Sequence, residues 1–361
     1  MTSNTVATPH PVCIANPQRI RGSREESQSP GAQHPWAGGR DQTTFDGGSG
    51  GEAGYTCDHV WYTSLYMIGH NDKSDWTFGV ASSLLAAEVR GLAGSPSAID
   101  EEQSLPAYLG LLEGFCGFAR DNGFEIIEVE LGFSLISADR LMERAAELKR
   151  LFSPFRMVIS HLPLGEINIS ALHPAVREAA IAETKRHIDL CRELEISAFV
   201  MHPGSFAAMP DRYAILESQT RAVAYASVIE INGYCAARGM ELSIENLHCN
   251  EPLFNRPEEM EPFARAGLGI VLDTAHAAVC GVRPVEFVRR LGAHITEVHL
   301  SDAVTSDPLA HRPVGSGEAD CLDVLKELEA IGFRGRVVLE VESREDVLQS
   351  VDFLRANGYL R

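Results

Sequence analysis

The chain has 361 residues, 45% of them hydrophobic, enough for one large α/β domain with an appendage, and it holds no apolar run long enough to cross a membrane. Its formal net charge of −19 counts against a broad phosphate-binding surface, so a nucleic-acid partner is not expected. The eight cysteines are scattered without a C-x-x-C pair, which argues against a disulfide framework and for a reduced, cytoplasmic protein.

Residues 1–54 are rich in Gly, Ser, Pro, Gln and Thr and poor in periodic apolar residues. That composition cannot offset the entropy of ordering, and a disordered N-terminal extension is expected. It contains no signal-peptide core, and Arg19, Arg21, Arg24 and Arg40 are accompanied by Glu25, Glu26, Asp41 and Asp46, unlike a transit peptide. An aromatic lead-in over residues 55–75 follows, and Met67 leaves open a translation start just ahead of the folded part.

From Trp76 onward the spacing predicts strand and helix in alternation. Phe78-Gly-Val-Ala-Ser82 reads as the first strand, followed by a polar loop and a helix over residues 105–122. The second strand is Phe124 to Leu131, with a helix over 137–151; the third is Met157-Val-Ile-Ser-His161, with a helix over 173–194. Ser197 to His202 is the fourth, ahead of a helix over 211–238. Glu241-Leu-Ser-Ile-Glu245, Gly269-Ile-Val-Leu-Asp273 and Ile295-Thr-Glu-Val-His299 are the fifth to seventh, with helices over 257–266 and 284–291 between them. Val337-Val-Leu-Glu340 is the eighth, closed by a helix over 343–357. Gly123, Gly239, Gly267, Gly292 and Gly332 stand where a helix should stop in a left-handed residue before the next strand. This is the pattern of a TIM (β/α)8 barrel over residues 76–361, whose chemistry sits at the C-terminal ends of the strands.

Those strand ends carry Glu128 or Glu130, His161, His202, Glu245, Asp273, His299 and Glu340, with His276, Asp302 and His311 in the loops just beyond. One carboxylate or imidazole at a strand end is commonplace. Six or more on one rim point to a metal site. Glu245, Asp273, His299 and Glu340 offer three oxygen ligands and one imidazole, a set suited to Mn²⁺, Mg²⁺, Co²⁺ or Zn²⁺ with positions left for substrate oxygens. His161, His202, His276 and His311 are candidates for a second or third metal or for substrate hydroxyls, and Glu128 and Asn246 for substrate contact.

Ser160-His-Leu-Pro163, Met201-His-Pro-Gly-Ser205, Leu242-Ser-Ile-Glu-Asn246, Leu272-Asp-Thr-Ala-His276, Val298-His-Leu-Ser-Asp302 and Val338-Leu-Glu340 together resemble the xylose-isomerase-like TIM-barrel superfamily, as does the glycine-rich stretch Pro313 to Asp320. The superfamily holds sugar and sugar-phosphate isomerases and epimerases, and also zinc-dependent apurinic/apyrimidinic endonucleases of the endonuclease IV type. In the first branch the resemblance implies one metal on Glu245, Asp273, His299 and Glu340, the two glutamates doubling as acid and base in enediolate chemistry, with His276 contacting substrate. A dehydratase or lyase on the same barrel is close kin. In the endonuclease branch it implies a second zinc on His161, His202 and Glu245, and a third on His276, His311 and an aspartate two residues before His311. Leu309 occupies that last position, so a third zinc would need Asp307 or Asp302. A metal-dependent isomerase or epimerase of a small sugar, polyol or hydroxy-carbonyl compound is the expectation, with zinc phosphodiesterase as its rival. The partner is then a small molecule; self-association is left open.

Overall fold

The computed structural model describes residues 76–360, apart from residue 87, residues 90–100 and residues 207–209. The expectations for residues 1–54, residues 55–75 and Met67 lie outside the described residues.

Eight parallel strands close into a barrel: β1 (Thr77–Ala81), β2 (Ile126–Glu130), β3 (Met157–His161), β4 (Ala198–Met201), β5 (Glu241–Glu245), β6 (Gly269–Asp273), β7 (Ile295–Leu300) and β10 (Arg336–Leu339). Each pairs with its neighbour in sequence, and β10 pairs with both β7 and β1 to complete the ring. Around them lie α1 (Glu101–Asp121), α2 (Ala138–Met142), α3 (Ala145–Phe152), α4 (Pro174–Glu193), α5 (Pro210–Ala236), α6 (Pro257–Arg265), α7 (Thr274–Val279), α8 (Pro284–Leu291), α9 (Cys321–Ala330) and α10 (Arg344–Ala356).

Strand alternation divides the apolar residues into two cores. Ile127, Val129, Phe199, Ile270, Leu272, Val298 and Leu339 pack outward with the helices in the main cluster. Ala81, Ile126, Ile159, Ala198, Val200, Val271 and Val338 form a separate cluster inside the barrel. The interior is therefore filled with side chains, and only its C-terminal rim is free for chemistry.

Prolines at the first turn start α4, α6 and α8. Gly123, Gly239, Gly267 and Gly332 take φ of 80°, 70°, 85° and 68°, the left-handed stops that the spacing predicts. Gly292 does not: its φ is −50°, and the chain continues into a short 3₁₀ turn. A Cβ there would lie 2.6 Å from Ile331 Cδ1, so the position is about room beside a neighbour rather than backbone conformation.

Three further differences appear. The helix predicted over residues 137–151 is two helices, because Arg144 (φ −110°, ψ 15°) interrupts it while the apolar spacing runs on unbroken. The loop expected around His276 is helix α7. After β7 the chain makes an antiparallel hairpin, β8 (Asp302–Val304) with β9 (Asp307–Arg312), and then α9, none of which the spacing picked out. The hairpin carries His311 back over the rim.

Candidate functional site

Glu245 and Asp273 end β5 and β6, His299 is the penultimate residue of β7, and Glu340 follows β10. These strands are neighbours in the ring, and Asp273 lies opposite His299 in register. Ligand atoms of the four residues lie within 4.8 Å of one another. Among the described residues three more such groups occur: His161, His202 and Glu245; Asp273, His276 and His311; and Glu128, Glu297 and His299. Glu245, Asp273, His299, Glu340, His161, His202, His276 and His311 thus fall into one connected cluster.

The residues following the ligand candidates explain how the rim is held. Asn246 brackets the backbone of Asp273, accepting from its amide at 2.9 Å and donating to its carbonyl at 3.1 Å. Asp273 in turn caps α7: one carboxylate oxygen accepts from the His276 amide at 2.6 Å, which fixes His276 over the rim. His276 Nδ1 donates to Asn246 O at 2.9 Å. Thr274 ties α7 to the end of β7, accepting from the Ser301 amide at 3.1 Å and donating to the Ser301 carbonyl at 2.6 Å. The Glu-Asn and Asp-Thr-Ala-His sequences are one clasp across three strands.

At its centre Glu245, 1% exposed, meets four imidazoles. Its Oε2 lies 3.2 Å from both His161 Nε2 and His202 Nε2, and its Oε1 lies 3.3 Å from His276 Nδ1 and 3.4 Å from His299 Nδ1. Burial opposes charge here, yet for Glu245, Glu340, His299, His161 and His276 the mutual attraction wins. His299 and His202 hold the Glu245 carboxyl well below its usual range against that burial. His299 likewise holds Glu340 low. In return Glu128, Glu340 and Glu245 lift His299 well above the ordinary imidazole value. His161, beside Glu245, is raised to about 9, and His276, beside Asp273 and Glu245, to about 10, in both cases against desolvation.

The donor set fits a divalent cation. Three buried atoms at its heart, Asp273 Oδ2, His299 Nδ1 and Glu340 Oε2, make no hydrogen bond, although the last two are only 2.7 Å apart. Such orphaned groups cost about 1–3 kcal/mol each. Three at one point, an imidazole nitrogen and two carboxylate oxygens, are what an ion of the Mn²⁺, Mg²⁺, Co²⁺ or Zn²⁺ class would satisfy.

Two residues expected to touch substrate are placed otherwise. Glu128, 2% exposed, lies beneath His299 and bonds its Nε2 at 3.1 Å, while Asn246, fully buried, is engaged with the backbone of Asp273. Asp302, a fallback for a third metal, is taken up by the amides of Ala303, Gly315 and Ala319 at 3.0, 3.0 and 2.8 Å. Asp273 replaces it as the carboxylate beside His276 and His311.

Other residues carried no signal in the sequence. A cavity of about 320 Å³ opens beside the cluster, with His202, His248, His276, Ser205 and Glu251 in its wall and Ile167, Ile169 and Met201 as its apolar side. His248 packs edge-on to His276, with ring centres 5.6 Å apart. Glu251 fixes the loop after β4 by accepting from Phe206 N at 2.7 Å and Ser205 Oγ at 3.1 Å. Both sit in a stretch without periodicity, where only contact in three dimensions assigns a role.

Comparison with known proteins agrees with this architecture. A model of the xylose isomerase-like TIM barrel family matches residues 116–357. An uncharacterized protein of Methanocaldococcus jannaschii is 26% identical over 208 residues, 55% of this chain and 69% of that relative. Among solved structures, a D-tagatose 3-epimerase-like protein superposes with a TM-score of 0.59 at 21% identity, covering 78% of this chain and 96% of its own. A D-psicose 3-epimerase determined in the presence of D-fructose gives 0.57 at 17% identity, covering 78% and 99%. At these identities the structural likeness speaks for the fold, and the family match supplies the assignment: this chain belongs to the xylose isomerase-like TIM barrel family.

Proposed function

We propose that the chain is a divalent-metal-dependent isomerase or epimerase of a small sugar, polyol or hydroxy-carbonyl compound. The observation that carries this is the set Glu245, Asp273, His299 and Glu340, three carboxylates and one imidazole with orphaned buried atoms, at the ends of four neighbouring strands beside a cavity of small-molecule size. The solved relatives named as 3-epimerases support it. A cation held by Glu245, Asp273, His299 and Glu340 would supply a Lewis acid that makes the C–H on the hydroxyl-bearing carbon beside a substrate carbonyl more acidic. Glu245 and Glu340, kept ionised by the surrounding imidazoles, are the groups able to take that proton and return it. Two bases acting from opposite faces epimerise, whereas one base moving the proton between carbons isomerises. His202 and His276, which line the cavity, are placed to orient substrate hydroxyls.

The direct test is exchange of solvent deuterium into the carbon beside the carbonyl of ketoses and aldoses, with Mn²⁺, Co²⁺ or Zn²⁺ supplied. Exchange is expected, and it should vanish in Glu245→Gln and Glu340→Gln, since amides cannot accept the proton. A dehydratase or lyase would begin with the same exchange and reveal itself by loss of water or carbon–carbon cleavage.

A second reading, a zinc phosphodiesterase, is favoured by the groups His161–His202–Glu245 and Asp273–His276–His311 flanking the central set. Three bound zinc ions per chain with cleavage at abasic sites, and no deuterium exchange, would establish it in place of the first.

A further inference from the structure

The barrel interior carries charge where barrels of this type carry aliphatic side chains. Glu128 and Glu297 are 2% and 0% exposed, below the rim, with His299 fully buried above them. Glu128 Oε2 lies 3.1 Å from His299 Nε2, and Glu297 Oε1 lies 3.7 Å from the same nitrogen. On its other oxygen Glu297 accepts from Arg336 Nε at 2.9 Å, and Arg336 Nη1 reaches Glu241 Oε2 at 3.7 Å, at the far end of the barrel. A line of polar groups therefore runs from the rim to the opposite mouth. Burying two carboxylates weakens a core unless they meet a specific need, and a hydrophobic replacement is often neutral or stabilising.

The need is visible in the imidazole. Its Nδ1 faces the rim, 2.7 Å from Glu340 Oε2 and 3.4 Å from Glu245 Oε1, and its Nε2 faces down to Glu128. A carboxylate at Nε2 holds the proton there and leaves the Nδ1 lone pair for a cation. We propose that Glu128, steadied by Glu297 and Arg336, is a positioning residue that fixes the tautomer and tilt of His299 and so sets how tightly the rim holds its cation. The inference rests on His299 being a ligand, as the proposed function requires, and it gives Glu128 a role through His299 instead of contact with substrate.

The test uses the full chain stripped with a chelator and titrated with Co²⁺ by calorimetry, alongside thermal unfolding with chelator present. Glu128→Leu removes the acceptor at nearly constant volume, and Glu128→Gln keeps an oxygen that can still accept from Nε2–H. We expect Co²⁺ affinity to fall 10–100-fold in Glu128→Leu, the range for loss of such a partner, with the metal-free unfolding midpoint unchanged or higher, and to recover at least in part in Glu128→Gln. In ¹H–¹⁵N spectra of metal-free protein at a pH where His299 is neutral, its proton should sit on Nε2 in the wild type and be shared between both nitrogens in Glu128→Leu. Unchanged Co²⁺ affinity in Glu128→Leu, or an affinity loss matched by a lower metal-free midpoint with no change of tautomer, would overturn the inference. His299→Ala separates this from the reading beneath it. If that variant keeps full Co²⁺ affinity, His299 is no ligand and the proposed centre itself fails; if it loses the metal while Glu128→Leu does not, only the positioning role fails.

Discussion

Replacing Asp273 by asparagine separates two jobs that one side chain does. Asp273 Oδ1 caps α7 through the His276 amide at 2.6 Å, while Oδ2 is buried, unpartnered and part of the four-residue ligand group. Asparagine keeps an oxygen for the cap but gives up the negative charge and the anionic ligand. Alanine gives up both. Loss of the cap alone is worth about 1 kcal/mol. Burial raises the Asp273 carboxyl's pKa, and Glu340 and Glu245 add to that although His276 and His311 oppose it, so the charge is uncomfortable without a cation. In chelator, Asp273→Asn should therefore unfold at or above the wild-type midpoint, and Asp273→Ala about 1 kcal/mol below Asp273→Asn. With Mn²⁺ at about a thousand times its Kd, the wild type gains roughly 4 kcal/mol by mass action, and a 100-fold weaker site gains about 2.7 kcal/mol less. The metal-dependent rise in the midpoint should thus shrink to about a third in both variants, while the cap difference between them persists with and without metal. Thermal unfolding in chelator and in Mn²⁺ reads all six values. A full Mn²⁺-dependent rise in Asp273→Asn would remove Asp273 from the ligand set and refute the reasoning.

Gly204→Ala should be severely destabilising, because Gly204 has φ of 145° and a Cβ would fall 1.6 Å from Ser170 Oγ; strain alone costs about 1–3 kcal/mol. Gly165→Ala (φ 69°, nothing within 4 Å) serves as the control and should lose about 1 kcal/mol; equal midpoints for the two in thermal unfolding would contradict this. Cation binding at neutral pH should release protons, since His299, His161 and His276 are raised in the metal-free chain and a ligating nitrogen must be deprotonated. Affinity then rises with pH, and calorimetry in two buffers of different ionisation enthalpy should give different heats; identical heats would sink the idea. The same shifts fix the sign for metal-free stability. Groups whose folded pKa is raised stabilise fully below about 6.5, the unfolded imidazole value. That share is lost as pH climbs through about 9 and 10. The chelated chain should accordingly unfold at a lower temperature at pH 9 than at pH 7, and a midpoint that rises over that interval would refute the electrostatic account.

Much of the site was legible because a parallel barrel makes position along a strand and position in space nearly the same thing. Once Ile-Val-Leu-Asp273 and Glu-Val-His299 were read as strands, their last polar residues had to meet at one rim. Depth was not legible. Glu128 and Glu130 share a face by alternation, and two residues of strand separate them by about 6.6 Å. That distance decides between a rim group and one beneath it, and it depends on the stagger of β2 against β7, across the barrel. Glu128 bonds His299, whereas Glu130, at the end of β2 opposite His161, is raised to about 7 by burial even though His161 opposes the rise. The clasp role of Asn246 is hidden for a related reason: only the bracketing of the Asp273 backbone in three dimensions shows it. The hairpin after β7 hides behind its short strands and the Thr305-Ser306 turn, which carry no long apolar run.

Charge balance bears on how many cations such a rim would hold. Glu245, Asp273 and Glu340 bring three carboxylates into a place where an unbalanced charge is costly. In the metal-free chain the raised imidazoles of His161, His276 and His299 supply the balance, each drawn toward one of those carboxylates. One divalent ion displacing the proton of His299, with one imidazolium retained nearby, balances those three carboxylates and suits an uncharged hydroxy-carbonyl substrate. Three divalent ions would reverse the sign of the site and call for an anionic substrate and bound hydroxide to restore it. The residue types permit both arrangements, since Glu245 belongs to two of the ligand groups and Asp273 to two. The single-ion arrangement needs nothing beyond the chain's own groups to reach neutrality, and this is the physical reason for ranking sugar isomerisation above phosphodiester cleavage.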